Sequence, residues 1–103
     1  MSEITRILQV INKKGIHARA AAKFVKTVSA HNATVSVTKV KSSTHHTADA
    51  SQYAKVTGSS ILGLMMLAAE CGSSIEVSAM GEDAQKVMDE LEALLKDKFG
   101  EGE

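Results

Sequence analysis

The chain has no tryptophan, one tyrosine and two phenylalanines, so any core built by its 103 residues has to come mainly from Ile, Leu, Val, Ala and Met. Such side chains suit a small sheet covered by helices on one face. A single cysteine, Cys71, excludes an intrachain disulfide, and beside Gly72 it reads as a small residue at a helix end. No apolar run approaches the roughly 20 residues that span a bilayer, and residues 1–6 lack the apolar stretch of a signal peptide. The expectation is one soluble, cytoplasmic domain, monomeric and without membrane insertion. The most telling absence is of acid: no Asp or Glu occurs between Ile4 and Ala48, where Arg6, Lys13, Lys14, Arg19, Lys23, Lys26, Lys39 and Lys41 lie. From Asp49 onward the balance reverses, with eleven acids against four bases, so the zero net charge conceals a basic first half. That half is suited to steer acidic or phosphorylated partners. Nucleic acid is not the expected partner, because the stacking aromatics of RNA readers are missing.

What is present centres on Asn12-Lys13-Lys14-Gly15-Ile16-His17-Ala18-Arg19-Ala20-Ala21-Ala22. Here a strand-like run stops, a glycine turns the backbone, and a histidine opens a helix. The first N–H groups of a helix have no intrahelical acceptor and carry about half a positive charge, so an anion is favoured against them. His17 is placed to hold such an anion covalently, and Arg19 strengthens the inference. A cation in the first turn opposes the helix dipole, whereas a planar guanidinium beside the histidine can bond two phosphate oxygens at once. The competing reading is a solvated arginine and a histidine serving only as an N-cap.

Taken in order, residues 4–11 are rich in β-branched side chains and predict a strand. Residues 17–30 predict a helix with Ala18, Ala21, Ala22, Phe24, Val25 and Val28 inward and Arg19, Lys23, Lys26 and Thr27 in solvent. Residues 33–38 alternate as a half-buried strand, and residues 53–57 predict a third. The stretch 39–52 between them is much longer than a hairpin turn needs and reads as an insertion. It holds His45 and His46, which can ligate metal, but only Asp49 lies near at ligand spacing, so a polar loop is the expectation and no metal or cofactor is implied.

Residues 61–69 form a short helix, apolar on nearly every side, introduced by Gly58-Ser59-Ser60, with Ser60 as its N-cap. So short a helix leaves some of Ile61, Leu62, Met65 and Met66 exposed, and flexible methionine and leucine suit a surface that binds several partners. The alternative is packing under the long loop. Residues 74–79 alternate as a fourth strand, and Gly81-Glu82-Asp83 opens a last helix. Ala84, Val87, Met88, Leu91, Leu94 and Leu95 recur along it at core spacing, and Lys96 and Lys98 finish it. The closing Gly100-Glu101-Gly102-Glu103 is expected to fray.

Two separated segments, Gly15-Ile16-His17-Ala18-Arg19-Ala20-Ala21 and Ser59-Ser60-Ile61-Leu62-Gly63-Leu64-Met65-Met66-Leu67, resemble the signatures of the HPr family, the histidine-containing phosphocarriers of the phosphoenolpyruvate-dependent phosphotransferase system. The resemblance covers about residues 4–95. It departs from the family at Ala20, where proline is commoner, which marks an alanine-for-proline subfamily variant, and at the 39–52 insertion.

It implies an α+β open-faced β-sandwich, βαββαβα, with a four-stranded antiparallel sheet and three helices on one face. His17 would take a phosphoryl group on Nδ1 from an Enzyme I-like kinase, stabilised by the Ala18 and Arg19 amides and the Arg19 side chain. It would pass the group to an Enzyme IIA-like acceptor in sugar uptake or in a regulatory, nitrogen-related branch, as a stoichiometric carrier and not an enzyme. Ser60 matches the serine modified by HPr kinase/phosphorylase, and Ile61, Leu62, Met65 and Met66 match the partner-docking helix. Two other readings stay open: a regulatory binding module of the same layout that holds an anion without transfer, and a metal-binding regulator acting through His45 and His46.

Overall fold

The computed structural model describes residues 3–40 and 55–101. Strand β1 (Glu3–Gln9) is followed by α1 (Ala18–Ser29), β2 (Thr34–Val40), β3 (Val56–Thr57), α2 (Ile61–Met66), β4 (Ser74–Met80), α3 (Ala84–Lys96) and a short 3-10 helix, Lys98–Gly100. This is the expected element order. The strands form one antiparallel sheet in the order β1-β4-β2-β3. Ile4 registers with Ala79 and Leu8 with Ile75, while Val35 registers with Ala79 and Val37 with Val77. Period-two alternation therefore puts one apolar row on the helix side. Glu3, Thr5, Ile7 and Gln9 face out, and Thr5 shares a hydroxyl hydrogen bond with Ser78 at 3.1 Å.

The core lies between this sheet and the helices. From α1 it takes Ala20, Ala21, Phe24 and Val28, and from α3 Ala84, Val87, Met88, Leu91 and Leu95, with Leu94 packed at its edge. The inward face of α1 thus differs from the one expected: Ala18 and Ala22 are exposed, Val25 is half-buried, and Ala20 is fully buried. Phe24 and Val28 set the orientation, and Ala20, four residues before Phe24, falls on their stripe. Lys23 is not in free solvent either, because its ammonium donates to the Phe99 carbonyl.

Helix α2 stops at Met66, short of the expected residue 69. Leu67 and Ala68 donate to carbonyls three residues back, Ala68 takes a left-handed φ of 53°, and the chain turns so that the Ala69 carbonyl accepts from Ile16 N–H. In β3 only Val56 and Thr57 are paired; Lys55 precedes the strand, and Tyr53 and Ala54 lie outside the described residues. The expected insertion begins later than residue 39, since Lys39 and Val40 belong to β2. Its remainder, with Lys41, His45, His46 and Asp49, lies outside the described residues.

The expected fraying of Gly100 and Glu101 does not occur. Phe99 is 1% exposed, Gly100 N–H and Glu101 N–H close the 3-10 turn, and Lys98 and Phe99 both hold left-handed φ angles of 54° and 55°. Non-glycine residues in that region cost of order 1 kcal/mol each or more, which burial of an aromatic ring offsets.

His31 closes the far end of the helical layer. Its ring, just past α1, bonds the Thr27 carbonyl at 2.8 Å through Nδ1 and Glu90 of α3 at 2.9 Å through Nε2. The Thr27 bond and then Glu90, with Asp83 nearby, raise the His31 pKa despite partial desolvation. A raised pKa gives stability that is full below the unfolded imidazole value and is lost as pH rises through the folded one. Urea denaturation from about pH 5 to pH 8 should show this increment disappearing on the alkaline side in the wild type, and a His31→Gln variant should lack it.

Candidate functional site

Beyond β1 the chain runs through a tight turn that the sequence specifies residue by residue. Asn12 is fully buried, and its side-chain amide donates to the Gly15 carbonyl at 2.8 Å, while Gly15 N–H donates to the Asn12 carbonyl at 3.1 Å. Gly15 has φ +68°, and a Cβ there would lie 2.5 Å from the Ala69 carbonyl oxygen. Glycine is therefore required twice, for its backbone angle and for close approach. Ile16, buried, donates its N–H to that Ala69 carbonyl at 2.9 Å, and the turn is fixed against the exit of α2.

His17 follows as the N-cap residue of α1, extended at φ −88° and ψ −176°, with its carbonyl accepting from Ala21 N–H at 2.8 Å. Its ring makes no capping bond. It is 29% exposed and Nε2 is bonded to Glu101, while Nδ1 has no hydrogen-bond partner among the described residues. The Ala18 and Arg19 amides likewise have no acceptor there, as expected of the first two residues of a helix. Arg19 is exposed and makes no ion pair or hydrogen bond among the described residues. The start of α1 thus carries one ring nitrogen, two amides and one guanidinium that are without partners among the described residues. Groups of these kinds are chemically suited to an oxyanion, and a neutral imidazole nitrogen is a nucleophile.

Glu101 is the residue that sequence reasoning missed. Its side chain, 10% exposed, accepts from Asn12 Nδ2 at 3.0 Å and meets His17 Nε2 with its other oxygen. Burial acts to raise its pKa, but the hydrogen bonds from Asn12 and His17 and the charges of His17 and Lys14 outweigh it, and the carboxyl lies below its ordinary value. The available signal was Phe99, one aromatic side chain in an otherwise polar tail.

Ser60 caps α2, its hydroxyl accepting from Gly63 N–H at 2.9 Å. Of the short helix, Leu64 is buried and Ile61, Leu62, Met65 and Met66 are exposed, Leu62 by 68% and Met66 by 74%. Because α2 packs against α1, and its exit is tied to Ile16, this apolar face belongs to the same end of the molecule as the His17 turn. Cys71 is exposed, with its sulfur 3.7 Å from the Ile11 carbonyl. No cluster of three or more metal-ligating side chains occurs among the described residues, and no helix among them is long and apolar enough to cross a membrane.

Comparison with known proteins agrees with this geometry. Residues 4–97 match a family profile described as the phosphorylation site of the HPr component of the phosphotransferase system. The chain belongs to the HPr family. It is 43% identical over 96 residues to phosphocarrier protein HPr of Neisseria meningitidis, spanning 93% of this chain and 94% of the relative. Phosphocarrier protein NPr of Shewanella violacea is 31% identical, with 98% of each chain covered. Among solved structures, HPr-C-His from Thermoanaerobacter tengcongensis superposes with a TM-score of 0.74 at 34% identity and 98% coverage of both chains. The α+β HPr fold is thereby established, and the protein is an HPr/NPr phosphocarrier that relays phosphoryl groups through a histidine, a carrier and not a catalyst. Family membership implies an Enzyme I donor and Enzyme IIA acceptors.

The turn that presents His17 yields a direct test. Gly15→Ala should destabilise the fold by about 1–3 kcal/mol, read as a lowered urea midpoint. Gly72→Ala should cost less, because Gly72 also has a positive φ, +95°, but a Cβ there meets nothing within 4 Å.

Proposed function

We propose that His17 is the phosphoryl acceptor and that Nδ1 is the reacting atom. The observation that carries this reading is that Nδ1 of the N-cap histidine, and the amides of the two residues after it, have no partner among the described residues. Neutral His17 attacks the phosphorus of a phosphohistidine on the Enzyme I donor. A new N–P bond forms as the donor's breaks, and its electron pair returns to the donor imidazole. The Ala18 and Arg19 amides and the Arg19 guanidinium bind the phosphoryl oxygens while the group rests on His17, until an Enzyme IIA-like acceptor of the sugar-uptake or regulatory, nitrogen-related branch takes it.

Ile61, Leu62, Met65 and Met66 form the docking face for both partners, supported by their exposure at this end of the fold. Ser60 is the site of regulation by an HPr kinase, since a phosphate there would put a dianion within that apolar face. Its hydroxyl is at present committed to the Gly63 amide. The chain works as a cytoplasmic monomer of one domain with an insertion between β2 and β3. Ala20, fully buried as the third residue of α1, supports an alanine-for-proline variant. Its N–H lies among those a helix leaves without an acceptor, so either residue can start the helix.

Incubation with phosphoenolpyruvate and an Enzyme I should give an acid-labile, base-stable phosphate that His17→Ala cannot acquire. Arg19→Ala should slow its formation by about tenfold to a hundredfold, the loss of one charge-assisted pair. Phosphate bound without covalent transfer would instead identify a regulatory anion-binding module.

A further inference from the structure

The C-terminal segment reaches back over the whole length of the chain to touch the His17 ring. Several independent features hold it there: the buried Phe99 side chain, the Lys23 ammonium on the Phe99 carbonyl, and the Asn12 amide on Glu101. All of them deliver a single functional group, the Glu101 carboxylate. Glu101 also lies outside residues 4–97, the part of the chain that matches the family profile.

We propose that Glu101 is a positioning residue that holds the proton of His17 on Nε2, leaving the lone pair on Nδ1, and keeps that proton in place through both phosphoryl transfers. An ionised carboxylate only accepts hydrogen bonds, so its contact with Nε2 requires the hydrogen on that nitrogen. In a neutral ring Nδ1 then carries the lone pair, and it is the nitrogen without a partner among the described residues. Attack by Nδ1 forms the new N–P bond and leaves the ring cationic, with the Nε2 proton unmoved. The adjacent carboxylate stabilises that cation, as a carboxylate behind a histidine does wherever the ring must gain charge. Onward transfer breaks the N–P bond and returns its electron pair to Nδ1, which restores the same neutral tautomer with no proton exchanged. The buried Asn12 amide keeps the carboxylate oriented by occupying its second oxygen.

This inference rests on His17 as the acceptor, and the experiment separates the two. Imidazole 15N spectra of the full chain report the tautomer without any phosphoryl donor, and phosphorylation by Enzyme I reports transfer. In the wild type Nε2 should give the protonated-nitrogen signal and Nδ1 the lone-pair signal. Glu101→Ala should draw the two signals together and slow phosphorylation by about tenfold. Glu101→Gln, whose amide oxygen still accepts from Nε2, should recover the tautomer but only part of the rate. Urea midpoints of the variants check that each remains folded. Unchanged 15N signals in Glu101→Ala overturn the proposal, and a slowed rate with unchanged signals does so too, because it would reduce Glu101 to a packing role. A wild-type protein that takes no phosphate on His17 would overturn the acceptor reading instead, with the 15N signals still deciding the role of Glu101.

Discussion

One backbone hydrogen bond, from Ile16 N–H to the Ala69 carbonyl at 2.9 Å, ties the turn before α1 to the exit of α2. These segments are more than fifty residues apart in the chain, and the bond forms only because Gly15 presents no side chain to Ala69. Its consequences run in both directions. On the α2 side the helix is cut short, and Ala68 is forced into a left-handed conformation. On the α1 side the backbone arrives at His17 extended, so the helix begins there with its leading amides open. The histidine and the apolar face of α2 therefore share one end of the molecule through covalent and hydrogen-bonded geometry, with no direct contact between them required. On the proposed reading, a partner docking on Met65 and Met66 would therefore meet the His17 ring at the same end of the fold.

Much of this was legible in the chain because local chemistry and tertiary packing agree at the decisive points. A turn glycine, Gly15, two residues before a histidine, and a first helical turn holding Arg19 and no acid, read as an anion-favouring helix start. The clean alternation of residues 74–79 and the stripe from Ala84 to Leu95 reappear in β4 and α3 almost unaltered. The inward face of α1 was less legible, since Ala18, Ala20, Ala21 and Ala22 give little contrast and only Phe24 and Val28 fix the rotation of the helix. The tail was illegible for a different reason. Gly100-Glu101-Gly102-Glu103 has neither periodicity nor apolar content, and the order of its first two residues comes from Phe99 entering a pocket that exists only once the sheet and helices have assembled. The carboxylate at the site was thus hidden behind an anchor whose own role is non-local.

The uneven charge of the chain acquires a sharper meaning once its pairs are known. Part of the contrast between a basic first half and an acidic second half is resolved internally, where β1 and the end of α1 meet α3. Arg6 pairs with Asp89 and Glu92 at 3.0 and 2.7 Å, and His31 with Glu90. Exposed pairs of this kind contribute little stability each, but they pair Arg6 and His31 with acids of α3. Lys13, Lys14 and Arg19 make no ion pair among the described residues, and they flank the histidine in sequence. Among the described residues, the acid bonded to the His17 ring is Glu101, and its hydrogen bonds go to Asn12 and His17 and not to a lysine or to Arg19. On the proposed reading the charges at this turn divide their work: the Glu101 carboxylate holds the proton on Nε2, while Lys13, Lys14 and Arg19, without ion pairs among the described residues, would attract a phosphorylated partner.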